Sequence, residues 1–115
     1  MLRDTRAVSW INAARRDFDG FPESARLDLA RALTILAEGK MPQIAKPVKG
    51  LGSGVMELAI RFRGDAFRVV YALQIDNDIW VIHAFQKKSK TGIKTPKFEI
   101  DLVEQRLKRL KELLK

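Results

Sequence analysis

The sequence predicts an α+β fold, an antiparallel sheet with an N-terminal helical hairpin on one face and a C-terminal helix. Residues 50–97 alternate apolar and polar side chains in three successive runs, which is typical of a three-stranded meander. Helical periodicity and helix-start signals flank this stretch on both sides. Because 115 residues suit one domain, we assign residues 1–115 to a single unit.

The N-terminal elements follow from local signals. Residues 6–11 predict a short first strand, and residues 12–18 predict a short helix. A second helix is expected from Pro22 to Glu38, because proline suits a first helical position and Gly39 suits a C-terminal cap. The apolar stripe of this helix, which we expect to cover the apolar sheet face, comprises Ala25, Leu29, Ala32, Leu33 and Leu36. Residues 40–54 predict a connection rich in proline and glycine.

Turn chemistry predicts the register of the meander. A first turn at Gly64-Asp65 would place Arg61 opposite Arg68. A second turn at Asp76-Asn77, for which Asn77-Asp78 is nearly as good, would place Arg68 opposite Phe85. The large apolar side chains, including Trp80 and Ile82, would then share one face. The opposite face would collect Glu57, Arg61, Arg68, His83, Phe85 and Lys87. Two arginines opposite each other repel, so we expect an anion to rest between them.

A closing helix is predicted after Thr95-Pro96. Its apolar positions at helical spacing are Ile100, Val103, Leu107, Leu110 and Leu114. The basic residues Arg106, Lys108, Arg109 and Lys111 predict a solvated helix face, with RNA or ribosome contact as the alternative.

The charge distribution favours a polyphosphate partner. The formal net charge is +8, and nearly all of it lies in residues 46–115. Lys87–Lys97 holds five lysines and no acid, a basic stripe typical of nucleic-acid binding, although a solubilising surface is the alternative. No cysteine is present, so a disulfide, a cysteine metal site or a cysteine nucleophile is excluded. One histidine without clustered carboxylates leads us to expect no metal site, and we expect no cofactor.

The N-terminal residues carry charges where a signal peptide needs an apolar core, and no apolar run has the length of a membrane span. We therefore expect a cytoplasmic protein without a membrane partner.

Three stretches together resemble one family. KPVKGLGSGVMELAIRF, then FRVVYAL, then VIHAFQKKSKTGIKTP resemble the HigB-type, phage-derived branch of the RelE/ParE toxin superfamily. The resemblance implies a RelE-like fold and a toxin that acts as a ribosome-dependent mRNA endonuclease. It also implies a cognate antitoxin, a helix-turn-helix protein of the HigA type, besides the ribosome and mRNA. Operator DNA would be bound only through the antitoxin complex.

The implied chemistry is metal-free attack of a ribose 2′-hydroxyl on the neighbouring phosphate. The resemblance assigns phosphate binding to Arg68 and Arg61, and proton donation to Lys87 or Lys90. His83 or Glu57 would be the base, but His83 could equally be structural and Glu57 could form a surface ion pair. Phe85 or Tyr71 could stack on a base, although Tyr71 suits a core position. The further RNA-binding candidates are Lys46, Lys49, Arg63, Phe85, Lys88, Lys94 and Lys97.

One departure from the family pattern leaves other functions open. Many relatives carry arginine where this chain has Ala59, and Arg61, two residues further on the same face, could replace it. The alternatives are a ParE-like gyrase poison and a non-catalytic module that binds nucleic acid or antitoxin.

Overall fold

The computed structural model describes residues 6–88 and 95–114, which form a five-stranded sheet with helices on both faces. In chain order the elements are β1 (Val8–Trp10), α1 (Asn12–Asp19), α2 (Glu23–Ala37), β2 (Ala45–Pro47), β3 (Val55–Phe62), β4 (Asp65–Ile75), β5 (Asp78–Lys87) and α3 (Lys97–Leu113). The strand order is β1-β5-β4-β3-β2, with β1 parallel to β5 and the other pairs antiparallel. The predicted α+β class is confirmed.

The helical hairpin α1–α2 covers the face that alternation marked as apolar. All five residues of the predicted stripe of α2 are buried, and Leu58, Phe67, Val69 and Tyr71 of the sheet pack in the same cluster. The helix ends at Ala37, and Gly39, which was predicted as its cap, has a φ of +87°. Its N–H donates to the carbonyl of Leu36, and that of Lys40 donates to Ile35, the two hydrogen bonds of a Schellman motif.

The first hairpin turn lies one residue earlier than predicted. Arg63 and Gly64 form it, with φ values of +53° and +87°, and Phe62 pairs with Asp65. A two-residue turn of this kind needs positive φ at both central positions, and glycine at the second is favoured. Arg61 therefore pairs with Ala66 instead of Arg68. Each residue of β3 therefore pairs with a residue of β4 two positions from the predicted one. Because side chains alternate with a period of two, every side chain of the two strands keeps its predicted face.

The second turn and the pairing of Arg68 with Phe85 are confirmed, but β5 contains a bulge that the sequence analysis missed. Val70 pairs with His83 and Tyr71 pairs with Val81, which leaves Ile82 without a partner. One extra residue reverses the faces of the side chains before it, as far as a second register shift between Ala72 and Ile75. Val81 therefore packs under the helical hairpin, whereas Ile82 packs on the opposite face with Trp80 beside it. The predicted faces of these three residues are wrong.

The opposite face is only partly open, because α3 covers the half of it that carries apolar residues. Val103, Leu107 and Leu110 of α3 form a second cluster with sheet residues such as Val70 and Ile82. Residues 45–47, which the sequence placed in a connection, form the short edge strand β2 beside β3. Its last residue is proline, which sheets accept at an edge. No described helix combines the length and the hydropathy that crossing a bilayer requires.

We expect Gly64→Ala to lower the free energy of unfolding by about 1 kcal/mol, the cost of a side chain at positive φ. A Cβ at this position would meet no heavy atom within 4 Å, so the cost comes from the backbone alone. Gly20→Ala is the matched control, because Gly20 has a φ of −83° and its added Cβ would lie 3.4 Å from the Asp17 carbonyl oxygen. Urea denaturation measures both. Equal stability of the two variants would contradict the turn geometry.

Candidate functional site

The register of β3 and β4 builds a depression on the face that α3 leaves open. Arg61 pairs with Ala66, and Ala59 pairs with Arg68 in the neighbouring position of the same face. The arginines thus occupy one diagonal of a four-residue patch and the alanines occupy the other. Two methyl groups between two long side chains leave space above the sheet. A pocket of about 620 Å³ lies there.

The pocket is positively charged. Its lining residues are Lys46, Pro47, Val48, Lys49, Glu57, Ala59, Ile60, Arg61, Ala66, Arg68, Thr95 and Ile100. Four of them are cationic, whereas Glu57 is the one carboxylate among the described lining residues. A concave surface with excess charge of one sign concentrates its field, so the pocket attracts anions.

Glu57 and Thr95 both help to hold Arg68 in place at this pocket. Arg68 is buried, with 6% of its surface exposed, and its Nη1 donates to Glu57 Oε1 at 3.3 Å and to Thr95 Oγ1 at 2.9 Å. The Thr95 hydroxyl in turn donates to Glu57 Oε2 at 3.1 Å. Glu57 is itself 9% exposed, so the predicted surface ion pair is instead a buried one.

Arg61 and Arg68 share a face, as predicted, but they differ in what they offer a ligand. Glu57 neutralises Arg68, so this pair adds little net charge to the pocket. Arg61 is exposed, and its described polar contact is a long one of 3.5 Å from Nη1 to the Gly64 carbonyl oxygen. The net positive charge of the pocket therefore comes from Arg61, Lys46 and Lys49.

His83 lies outside the pocket lining and is 3% exposed. Its Nδ1 lies 3.0 Å from Arg106 Nη1, and its Nε2 lies 2.7 Å from Glu99 Oε1. A guanidinium can only donate, so hydrogen-bond geometry assigns Nδ1 as the acceptor and places the proton on Nε2, which donates to Glu99. This arrangement ties α3 to β5 and supports the structural alternative for His83.

Comparison with known proteins places the chain in a family. A family model described as "Phage derived protein Gp49-like (DUF891)" matches residues 16–108. The chain belongs to this Gp49-like family. No curated protein matches it.

Two solved structures resemble this Gp49-like protein. A mutant of the E. coli toxin RelE in the free state is 15% identical with a TM-score of 0.58, covering 91% of this chain and 97% of that one. The toxin–antitoxin complex RelBE2 from Mycobacterium tuberculosis is 19% identical with a TM-score of 0.47, covering 75% of this chain and 94% of that one. The first likeness confirms a RelE-like fold; the HigB-type assignment remains a prediction.

The remaining predicted site residues of the Gp49-like chain fall into separate groups. Lys46 and Lys49 line the pocket, as Arg61 and Arg68 do. Lys87 is half-buried and lies outside the pocket lining, although its strand partner Ala66 belongs to it, whereas Lys88 and Lys97 are exposed. Arg63 is exposed in the first turn, with its guanidinium carbon 5.2 Å from the centre of the Phe62 ring. Lys90 and Lys94 lie outside the described residues.

The two aromatic candidates are core residues. Phe85 is 7% exposed, and its ring stacks on that of His83 with centroids 5.2 Å apart, so burial keeps it from a base. Tyr71 is fully buried under the helical hairpin, and its hydroxyl has no hydrogen-bond partner within the described residues. Burial raises the pKa of Tyr71 to about 12. Sequence reasoning had already favoured a core position for Tyr71.

Three features of the site were not predicted from the sequence. Thr95 was recognised only as a helix start, and Arg106 was expected on a solvated face, although it is half-buried and also donates to the Ile82 carbonyl at 3.1 Å. The available signal for the pocket was the pair of alanines, Ala59 and Ala66, among larger neighbours.

Within the described ranges, no three His, Cys, Asp or Glu side chains lie close enough together to hold a metal ion.

We expect His83→Ala to lower the free energy of unfolding by about 2 to 3 kcal/mol, because Glu99 and Arg106 would lose a partly buried partner. Glu99→Gln is the matched control, since its amide oxygen still accepts from Nε2, and we expect it to cost about 1 kcal/mol. Urea denaturation followed by circular dichroism measures both. A His83→Ala protein as stable as the unmodified chain would contradict the structural role.

Proposed function

We propose that this protein is the toxin of a toxin–antitoxin pair and that it cleaves mRNA on the ribosome at the pocket between Arg61 and Arg68. The observation that carries the proposal is this cationic pocket, built on the sheet of a RelE-like fold. Because an RNA phosphate is an anion, a concave surface with Lys46, Lys49 and Arg61 around it is a suitable binding site.

Cations at the pocket would lower the barrier for phosphodiester cleavage. When a ribose 2′-oxygen attacks the adjacent phosphorus, negative charge builds on the non-bridging oxygens. The exposed guanidinium of Arg61 can approach them with two parallel N–H donors, which a lysine cannot do. Donors directed at developing charge contribute about two to three powers of ten each in rate.

The geometry favours Glu57 over His83 as the base. His83 lies outside the pocket lining and both of its ring nitrogens are engaged with α3, whereas Glu57 lines the pocket and each of its carboxylate oxygens, hydrogen-bonded once, keeps a lone pair for a further proton. In the proposed step, Glu57 takes the proton of the 2′-hydroxyl while the oxygen forms a bond to phosphorus. The bond from phosphorus to the 5′-oxygen breaks, and Lys87, whose strand partner Ala66 lines the pocket, donates a proton to that oxygen. The products are a 2′,3′-cyclic phosphate and a 5′-hydroxyl end.

The proposal includes partners. A cognate antitoxin of the HigA type, with a helix-turn-helix, would hold the toxin inactive, and operator DNA would be bound only by the complex. The ribosome would align the mRNA, which reduces what the enzyme must do to position its substrate. We propose a cytoplasmic location, because the ribosome and its mRNA are there.

A second candidate is a non-catalytic module that binds nucleic acid or antitoxin. One observation favours it, since Arg68 is neutralised by Glu57. The family resemblance adds a second argument, because it leads us to expect arginine where this chain has Ala59. Such a module would bind RNA through its lysines and leave it uncut.

We expect Arg61→Ala to lower the rate of ribosome-dependent mRNA cleavage by roughly 100-fold, because it removes the exposed phosphate-binding fork. Substitution of Arg61 tests the mechanism more clearly than substitution of Arg68, because removing Arg68 would leave Glu57 buried without its cation and destabilise the protein. Arg31→Ala is the matched control, since Arg31 is also an exposed arginine but lies on α2, across the sheet. Primer extension on a defined mRNA with purified ribosomes measures cleavage.

Full activity of Arg61→Ala would remove Arg61 from the mechanism. Binding of mRNA without cleavage by the unmodified protein would favour the non-catalytic module. Growth arrest with DNA damage and inhibited supercoiling, but intact mRNA, would indicate a gyrase poison.

A further inference from the structure

Three side chains from three elements of the chain meet at the floor of the pocket. Glu57 lies on β3, Arg68 lies on β4, and Thr95 precedes α3 by two residues. Each contacts the other two: Arg68 donates to Glu57 and to Thr95, and Thr95 donates to Glu57. The hydroxyl is therefore both an acceptor and a donor, and its rotation is fixed by its two partners.

The distances show that the hydroxyl makes the closer contacts. Arg68 Nη1 lies 3.3 Å from Glu57 Oε1, whereas a strong charge-assisted bond between a guanidinium and a carboxylate is about 2.7 to 2.9 Å long. Thr95 Oγ1 lies 2.9 Å from Arg68 Nη1 and 3.1 Å from Glu57 Oε2. Thr95 therefore bridges a pair whose direct contact is long.

The position of Thr95 is set by the docking of α3. Pro96, the next residue, is the N-cap of α3. The first turn of the helix is held by Glu99, which accepts from His83 at 2.7 Å, and Val103 packs one turn later in the second cluster. Because Thr95 is joined to an anchored helix, its hydroxyl reaches the pocket at a defined point.

We propose that Thr95 is a positioning residue for the cleavage reaction: its hydroxyl orients the Arg68 guanidinium toward the bound phosphate and the Glu57 carboxylate toward the attacking 2′-hydroxyl. This inference rests on the proposed nuclease function. Thr95 touches no reacting atom itself and acts through its two partners. A serine at position 95 retains the hydroxyl and supports the reaction, whereas a valine of nearly the same shape does not.

The test compares Thr95→Val, Thr95→Ser and Thr34→Val in single-turnover cleavage of a defined mRNA on purified ribosomes. Thr34 is an exposed threonine of α2 whose hydroxyl donates to the Ala30 carbonyl, so Thr34→Val is a matched control. We expect Thr95→Val to lower the maximal rate roughly 10- to 100-fold, with the half-saturating protein concentration changed less than about twofold. We expect Thr95→Ser to stay within about threefold of the unmodified rate and Thr34→Val to match it.

Two further measurements separate positioning from folding. Thermal denaturation shows whether each variant is folded at the assay temperature, and Thr95→Ala, which also lacks the hydroxyl, replaces Thr95→Val if that variant unfolds. In a protein that already carries Glu57→Gln, adding Thr95→Val should lower the rate by a further factor of less than about two. The reason is that substitutions of residues that act as a unit do not have additive effects.

Equal rates for Thr95→Val and the unmodified chain, or equal losses for Thr95→Val and Thr95→Ser, would overturn the inference while leaving the nuclease proposal intact. Independent, multiplying losses in the double variant would also overturn it. An unmodified protein that cuts no mRNA would overturn the nuclease proposal, and the positioning role with it.

Discussion

The buried ion pair between Glu57 and Arg68 is the constraint on which the candidate site depends. Taking two charges out of water costs several kcal/mol per ion, so the protein must supply hydrogen bonds in place of the lost solvent. The Thr95 hydroxyl supplies two of them. The sheet, the start of α3 and the pocket floor are consequently joined at one point, and a change in any of them alters the other two.

The pocket is a consequence of small residues in the right register. Ala59 and Ala66 are the partners of Arg68 and Arg61, so no long side chain fills the space between the arginines. The same register removes the like-charge repulsion that a direct pairing of the arginines would cause. Alanine at position 59 therefore contributes to the shape of the site, because a longer side chain there would occupy the space that the pocket now has.

The two faces of the sheet have different tasks. The helical hairpin packs on one face with apolar contacts and buries residues such as Leu58 and Tyr71. The other face is divided: α3 packs on the half that carries Val70 and Ile82, and the half with Arg61 stays open. The bulge at Ile82 makes this division possible, because it brings Ile82 under α3 while Val81 remains under the hairpin.

The sequence by itself determined the features that depend on neighbours along the chain. Periodicity predicts the apolar stripe of α2 and the faces of β3 and β4. Cap residues predict that α2 ends before Gly39 and that α3 starts near Pro96. The lysines at positions 46 and 49 were also recognised, because local charge is visible in a sequence.

Only the tertiary structure decided which polar groups are buried and which partners they bind. The bulge at Ile82 and the partners of Arg68, His83 and Arg106 depend on residues 11 to 27 positions away, whose approach no local pattern encodes. Phe85 and His83 alternate with apolar neighbours as exposed residues of the polar face would, so their burial follows from where α3 docks. That docking results from the summed packing of α3 against the sheet, a property of the folded chain as a whole.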